Sequence, residues 1–133
     1  MDHISWLAVA LGTLAFFTVG ALWYGVLFGK LWQREVGMSD EQLKAGANMP
    51  LIFGLCFLLE LLVSLTLGHL YAATAPSDRA KLMMSVGLAV GVMTPAIGIT
   101  YLYMRKSLKL FLLDSAHFVV GMAAMGGVFA LLD

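Results

Sequence analysis

Apolar residues gather into four long runs along the chain, and most charged residues lie in the short stretches between them. The runs cover residues 4–28, 50–73, 82–104 and 108–132. Each is long enough for a helix to cross the hydrocarbon core of a membrane, which takes roughly 20 residues. None alternates like a barrel strand, and helices satisfy their own backbone hydrogen bonds in lipid. The pattern predicts one all-α domain, residues 1–133, in which four transmembrane helices form a bundle.

The first connection is the longest and carries its own helix signal. Ser39 and Gln42 have the spacing of a capping box, and Asp40 and Glu41 suit the first turn of a helix. Apolar residues alternate with Lys30, Arg34 and Glu35 just before this point. We expect a short amphipathic segment that lies on the membrane surface between the first two long helices.

The basic residues predict an orientation. Three lie in the first connection and three in or beside the third, against two in the second: Lys30, Arg34 and Lys44; Arg105, Lys106 and Lys109; Arg79 and Lys81. Since cytoplasmic loops carry an excess of Lys and Arg, connections one and three are expected in the cytoplasm and both termini outside. The predicted location is the inner (plasma) membrane.

Composition agrees with a membrane protein and excludes several functions. The chain is 61% hydrophobic and only 12% charged, whereas soluble domains carry about a quarter charged residues. Its formal net charge is zero, so we expect no nucleic-acid partner. Cys56 is the only cysteine, which excludes an internal disulfide and a cysteine-built metal site. No motif indicates a cofactor.

Aromatic residues cluster near the predicted helix ends. They are Trp6, Trp23, Tyr24, Trp32, Tyr71, Tyr101 and Tyr103. Trp and Tyr are enriched where a membrane meets water, so these positions predict an interfacial belt.

Two acids, Glu60 and Asp114, lie inside the apolar runs, and His117 follows Asp114 by one helical turn. Ionisable residues at membrane depth are expensive and mark functional sites by default. At 1.5 Å per residue, Glu60 and His117 lie about 15 and 13 Å from the starts of their helices, so a contact between them is expected. Asp114, about 9 Å from its helix start, is expected to reach the bases of the third connection; an Asp114–His117 contact is the competing arrangement.

Small residues mark the faces on which these helices are expected to pack. Gly87, Gly91 and Gly98 share one face of the third helix, and Gly121 shares a face with Asp114 and His117 in the fourth. Such faces let helices approach closely in lipid.

Pro95 interrupts the third helix, where it predicts either a hinge or a static kink. Thr94, its neighbour, is expected to satisfy the backbone group that the proline frees.

Several segments together resemble one family. They are Gly20-Ala-Leu-Trp-Tyr24 with Phe28-Gly-Lys30, Asn48-Met-Pro50, and Arg105-Lys-Ser-Leu-Lys-Leu-Phe111 followed by Asp114 and His117. The family is the bacterial membrane family called domain of unknown function 1761. The resemblance covers nearly the whole chain and implies a compact four-helix membrane protein, with no activity to carry over.

Three functional hypotheses follow from these residues. The first is a homo-oligomeric transporter or channel-like protein in which Glu60, Asp114 and His117 form a buried protonatable cluster. The second is a non-catalytic scaffold or partner subunit that packs through its glycine faces. The third, a membrane enzyme or metal site built from the same three residues, is disfavoured because the chain has no recognisable catalytic motif.

Overall fold

The computed structural model describes residues 3–45 and 48–133, and no β-strand occurs in these two ranges. The helices are α1 (Trp6–Leu27), α2 (Gly29–Val36), α3 (Asp40–Lys44), α4 (Met49–Thr74), α5 (Asp78–Met104) and α6 (Leu108–Leu132). The four long helices, α1, α4, α5 and α6, are long and apolar enough to cross a membrane. The two short ones occupy the first connection, where the sequence predicts an amphipathic segment.

Local capping signals decide where helices begin. The predicted capping box at α3 is confirmed, because Ser39 accepts from the Gln42 N–H while the Gln42 side chain accepts from the Ser39 N–H. Helix α5 begins at Asp78, earlier than the predicted residue 82. Its cap is the Ser77 hydroxyl, which accepts from the Ala80 N–H at 3.2 Å. The polar first turn hides this start from a search for apolar runs.

Helix α1 ends in a π-helical turn, Trp23–Leu27. The Phe28 N–H donates to the Trp23 carbonyl, five residues back, at 2.7 Å. Gly29 then packs against the Tyr24 carbonyl so closely that a side chain at this position would collide with it. The wide turn and the glycine together redirect the chain from α1 into α2.

Helix α5 contains a second π-helical turn, Ala89–Met93, directly before Thr94 and Pro95. Thr94 donates both its backbone N–H and its hydroxyl to the Ala89 carbonyl, the hydroxyl at 2.8 Å. In a regular α-helix, a proline at position 95 frees the Gly91 carbonyl, and Thr94 is expected to satisfy it. The Thr94 hydroxyl bonds the Ala89 carbonyl instead. The π-helical turn therefore moves the backbone hydrogen bond of Thr94 from the carbonyl four residues back to the Ala89 carbonyl, five residues back. The hinge at Pro95 stays a prediction.

Helix α6 is the central element. It packs along α1 on one side and along α5 on the other, as the short α5–α6 connection predicts, whereas α4 packs mainly on α1. An apolar cavity of about 260 Å³ lies between α4 and α5, beside Met122 of α6. The core between the helices is built from large apolar side chains with no exposed surface, among them Phe16, Met122, Met125 and Phe129.

In the described ranges, side-chain hydroxyls donate to backbone carbonyls of a neighbouring helix at three points. Ser64 of α4 donates to the Val9 carbonyl of α1 at 2.8 Å. Ser85 of α5 donates to the Met122 carbonyl of α6, and Tyr71 of α4 donates to the Lys81 carbonyl of α5 at 2.6 Å. Hydrogen bonds of this kind join helices where apolar surroundings give no preference for association.

The predicted glycine faces differ in what they contact. Gly121 lies against the Phe16 ring, and Gly98 lies against the Phe111 ring. Around Gly87 and Gly91, a Cβ would have no neighbouring atom within 4 Å in the described ranges. Within one chain, the close approach therefore occurs at Gly98 and Gly121, and the Gly87–Gly91 part of the α5 face has no partner among residues 3–45 and 48–133.

Candidate functional site: an aspartate held by two tyrosines beside a buried histidine

Asp114 of α6 is 6% exposed and accepts hydrogen bonds from two tyrosines on different helices. The Tyr24 hydroxyl donates to Oδ1 at 2.5 Å, and the Tyr101 hydroxyl donates to Oδ2. Tyr24 belongs to the π-helical turn of α1, and Tyr101 belongs to the last turns of α5. These three residues, the tyrosine clamp, join α1, α5 and α6 at one end of the molecule.

Small residues one turn away bring the tyrosines within reach of the aspartate. Gly20 precedes Tyr24 by four positions and lies against the imidazole of His117. Gly98 precedes Tyr101 by three positions and lies against the Phe111 ring. Because residues three or four apart share a helix face, each glycine shortens the distance between the tyrosine's helix and α6.

His117 lies one turn after Asp114 on the same face of α6 and is also 6% exposed. Four aromatic rings surround it at centroid distances of 4.9 to 6.3 Å: Phe16, Trp23, Tyr24 and Phe118. Neither ring nitrogen has a hydrogen-bond partner in the part of the chain that the structure describes. A Cβ at Gly20 would lie 3.1 Å from Nε2, so this glycine keeps a side chain away from the nitrogen.

Asp114 has no Lys or Arg partner in the part of the chain that the structure describes. The expected contact with Arg105, Lys106 or Lys109 is therefore wrong. Lys109 precedes Asp114 by five positions, about 140° around the helix. The base is accordingly exposed while the acid faces the interior. The competing arrangement, an Asp114–His117 contact, is not formed as a hydrogen bond either, because neither nitrogen of His117 has a hydrogen-bond partner among the described residues. The two side chains share a face of α6.

Glu60 lies apart from this cluster. It is half-buried on α4, and its Oε1 is buried without a hydrogen-bond partner among the residues described. The expected Glu60–His117 hydrogen bond is therefore not formed. The reason is the packing of the helices, since α4 contacts α1 far more than α6.

No group of three His, Cys, Asp or Glu side chains within residues 3–45 and 48–133 is arranged to hold a metal ion. Glu60, Asp114 and His117 do not form such a group. The side chains that the structure does bring together are one acid, one imidazole and phenolic hydroxyls, which accept, donate and transfer protons.

Sequence reasoning missed both tyrosines of the clamp. Tyr24, Tyr71 and Tyr101 were expected at a membrane interface, but each donates its hydroxyl to a partner inside the protein. Trp6 and Tyr103 are exposed, at 63% and 86%. The available signal was spacing, since Tyr24 and Tyr101 follow Gly20 and Gly98 on faces that pack.

The fold and site define a class: an all-helical chain with four helices able to cross a membrane and a buried acid–imidazole pair between three of them. The chain belongs to the family described as "Protein of unknown function (DUF1761)", whose family model matches residues 7–130. The predicted family is thereby confirmed, while the bacterial origin stays a prediction. No curated protein and no solved structure matches the chain.

Proposed function

We propose that the chain is a multi-pass integral membrane protein in which α1, α4, α5 and α6 cross the bilayer. The support is the apolar surface that the protein leaves uncovered. Leu58, Leu59 and Leu62 of α4 are 58 to 64% exposed, and Leu102 of α5 is 80% exposed. Soluble monomers rarely expose large contiguous apolar patches, whereas acyl chains cover such surfaces at no cost.

The proposed membrane is the inner (plasma) membrane, with connections one and three both in the cytoplasm. A direct contact supports placing these two connections on one side, because the Ser107 hydroxyl at the α5–α6 turn donates to Glu35 of α2 at 2.6 Å. Both basic connections therefore lie at the same end of the molecule. This end carries six of the eight bases of the chain. A cysteine-accessibility scan tests it: a cysteine at exposed Lys44 should be labelled only from the cytoplasmic side.

Within the membrane, the protein is proposed to be a homo-oligomeric transporter or channel-like protein whose Asp114–His117 pair exchanges protons or a cation. The single observation that carries this proposal is an almost fully buried acid with no Lys or Arg partner among the described residues, next to a buried histidine with both nitrogens free of protein partners there. Ionisable side chains inside membrane helices are costly, so a proton or cation is proposed to balance the charge of Asp114. Glu60 is proposed as a second protonatable group on α4.

The experiment is proton flux into proteoliposomes that enclose a pH-sensitive dye, with a pH gradient imposed and the membrane potential clamped. The wild type should move protons faster than empty vesicles. Asp114→Asn and His117→Gln should abolish the excess, and Glu60→Gln should reduce it. His69→Gln is the matched control, because His69 is an exposed histidine of α4 whose Nδ1 bonds only its own helix, at Leu65. Wild-type flux no greater than that of empty vesicles, or an unaffected Asp114→Asn, would refute the proposal.

A fluorescence measurement separates loss of the site from loss of the fold. Trp23 lies 6.3 Å from His117 between ring centroids, and a protonated imidazole quenches a neighbouring indole. In a variant whose other tryptophans, Trp6 and Trp32, are replaced by Phe, emission should titrate with pH. His117→Gln should remove that titration while the circular dichroism of the helices is unchanged. A titration that survives His117→Gln would show that another group is responsible.

The second candidate function is a scaffold or partner subunit, in which the site is static. The observation that favours it is the tyrosine clamp itself, since both oxygens of Asp114 already have donors. A static clamp predicts that Asp114→Asn lowers stability and leaves flux unchanged. Flux lost at near wild-type stability favours the transporter instead.

The proposed oligomer would use the uncovered glycines of α5. In the described ranges, no atom lies within 4 Å of a Cβ built at Gly87, so a second copy has room to pack there. Gly87→Leu should lower the particle mass measured by light scattering in detergent. Gly127→Leu, at a similarly open position on α6, is the control and should leave the mass unchanged. An unchanged mass for both variants would exclude this face.

A further inference from the structure

One end of the molecule brings basic residues from two separate segments onto one surface. The Ser107 hydroxyl accepts from the Leu110 N–H at 3.1 Å, which caps α6, and donates to Glu35 Oε1 at 2.6 Å, which holds α2. Arg105, in a left-handed conformation with φ of 56°, ends α5 immediately before this contact. The amphipathic helix α2 is therefore fastened to the α5–α6 turn by one serine.

We call the bases of these two segments the basic rim: Lys30, Arg34, Arg105, Lys106 and Lys109. Four of the five are exposed and Lys106 is half-buried. Among the acids of the first connection, Glu35 accepts from Ser107 and Asp40 accepts from Gln33 at 2.7 Å, so the hydrogen-bond donors to these two acids are neutral groups and not bases of the rim. Within the described ranges no base of the rim forms an ion pair.

At the opposite end of the molecule, a buried base is paired with acids. Lys81 is 7% exposed and lies 3.8 Å from a carboxylate oxygen of Asp78 and 3.6 Å from one of Asp133. The chain thus supplies acids to the base at that end, whereas the five bases of the rim have no ion-pair partner among the described residues. An uncompensated basic surface attracts anions, and phosphate groups are the ones that Arg and Lys bind best.

We propose that the basic rim is a binding surface for the phosphate headgroups of anionic phospholipids. Exposed apolar side chains beside the rim favour a lipid over a soluble partner: Leu102 is 80% exposed, Tyr103 86% and Leu108 70%. They belong to the same turn as the bases, so a bound lipid can contact the bases with its headgroup and these side chains with its acyl chains. The proposal rests on the proposed membrane insertion and is independent of any ion movement.

The experiment measures lipid selectivity by electron paramagnetic resonance of the full chain reconstituted in phosphatidylcholine vesicles. Spin-labelled phosphatidylglycerol and spin-labelled phosphatidylcholine are compared, and the fraction of immobilised lipid gives their relative association constant. Each base near an anionic surface strengthens binding about fivefold at low salt. Lys106→Gln with Lys109→Gln should therefore reduce the phosphatidylglycerol preference by roughly 25-fold or remove it. Replacing both lysines with Arg should keep the preference.

Arg79→Gln is the matched control, because Arg79 is an exposed base at the opposite end of the molecule. Its selectivity should equal that of the wild type. A preference that is lost equally in Arg79→Gln, or kept in the double Gln variant, overturns the rim as the binding surface. Soluble glycerol phosphate should not displace the labelled lipid, and displacement would assign the rim to a free phosphate instead. A chain that is inserted but unselective refutes this inference alone, whereas failure to insert refutes the proposed function.

Discussion

Replacing Tyr101 with Phe removes a single hydroxyl from the tyrosine clamp and keeps the aromatic ring. The lost group is the donor to Asp114 Oδ2, so in the described part of the chain that oxygen retains no donor while Oδ1 keeps Tyr24. Asp114 is 6% exposed, so water cannot readily take the place of the tyrosine. The substitution therefore isolates the energy of one buried hydrogen bond that links α5 to α6.

The expected loss of unfolding free energy in Tyr101→Phe follows from two ranges of hydrogen-bond energies. Hydrogen bonds between membrane helices average about 0.6 kcal/mol and reach about 1.7 kcal/mol. Bonds to a charged acceptor in soluble proteins contribute about 1.5–3 kcal/mol. Because the acceptor is a buried carboxyl that loses one of its two donors, Tyr101→Phe is expected near the upper end of the membrane range, at about 1.5 kcal/mol of unfolding free energy.

The assay is equilibrium unfolding in mixed micelles of a mild detergent and dodecyl sulfate, followed by far-ultraviolet circular dichroism. Tyr103→Phe is the matched control, since Tyr103 lies two residues away and is 86% exposed, and it should change stability by less than about 0.5 kcal/mol. Tyr24→Phe should resemble Tyr101→Phe. Because both donors share one carboxyl, the double variant should depart from additivity by at least about 0.5 kcal/mol. Equal effects of Tyr101→Phe and Tyr103→Phe would refute the reasoning.

Two further predictions use the same unfolding assay. Gly121→Ala should cost about 1–3 kcal/mol, because its Cβ would lie 2.9 Å from ring atoms of Phe16. Gly127→Ala, at a position of the same helix where a Cβ has no atom within 4 Å in the described ranges, should stabilise the helix by about 0.5–1 kcal/mol. Equal signs for the two glycines would contradict the packing described. Ser85→Ala should cost only about 0.6 kcal/mol, because the Met122 carbonyl that it bonds also has a partner within its own helix; a loss above about 2 kcal/mol would mean that this contact does more than join two helices.

The acid and the histidine of the candidate site were predictable from the sequence, and the tyrosines that bond the acid were not. Asp114 and His117 stood out in the sequence because charge inside an apolar run is costly, and their shared face follows from the spacing of three residues. The hydrogen-bond partners of Asp114 lie 90 and 13 residues away along the chain, at Tyr24 and Tyr101. The residue type alone does not distinguish an aromatic side chain that faces outward from one that turns inward, and only the spacing from Gly20 and Gly98 marked these two tyrosines. Glu60 looked equally important in sequence, yet its helix packs mainly on α1.

The sequence by itself determined the four long helices, the capping box of α3 and the positions of Glu60 and Asp114 along their helices. These features are local, since each helix satisfies its own backbone hydrogen bonds and each cap involves residues three apart. The tertiary structure decided which faces meet: Tyr24 and Tyr101 at Asp114, Phe16 at Gly121, and nothing within the described chain at Gly87. Those choices depend on how each helix is rotated against its neighbours. Two wide π-helical turns alter that rotation in α1 and α5, and the apolar pattern of the chain carries no record of them.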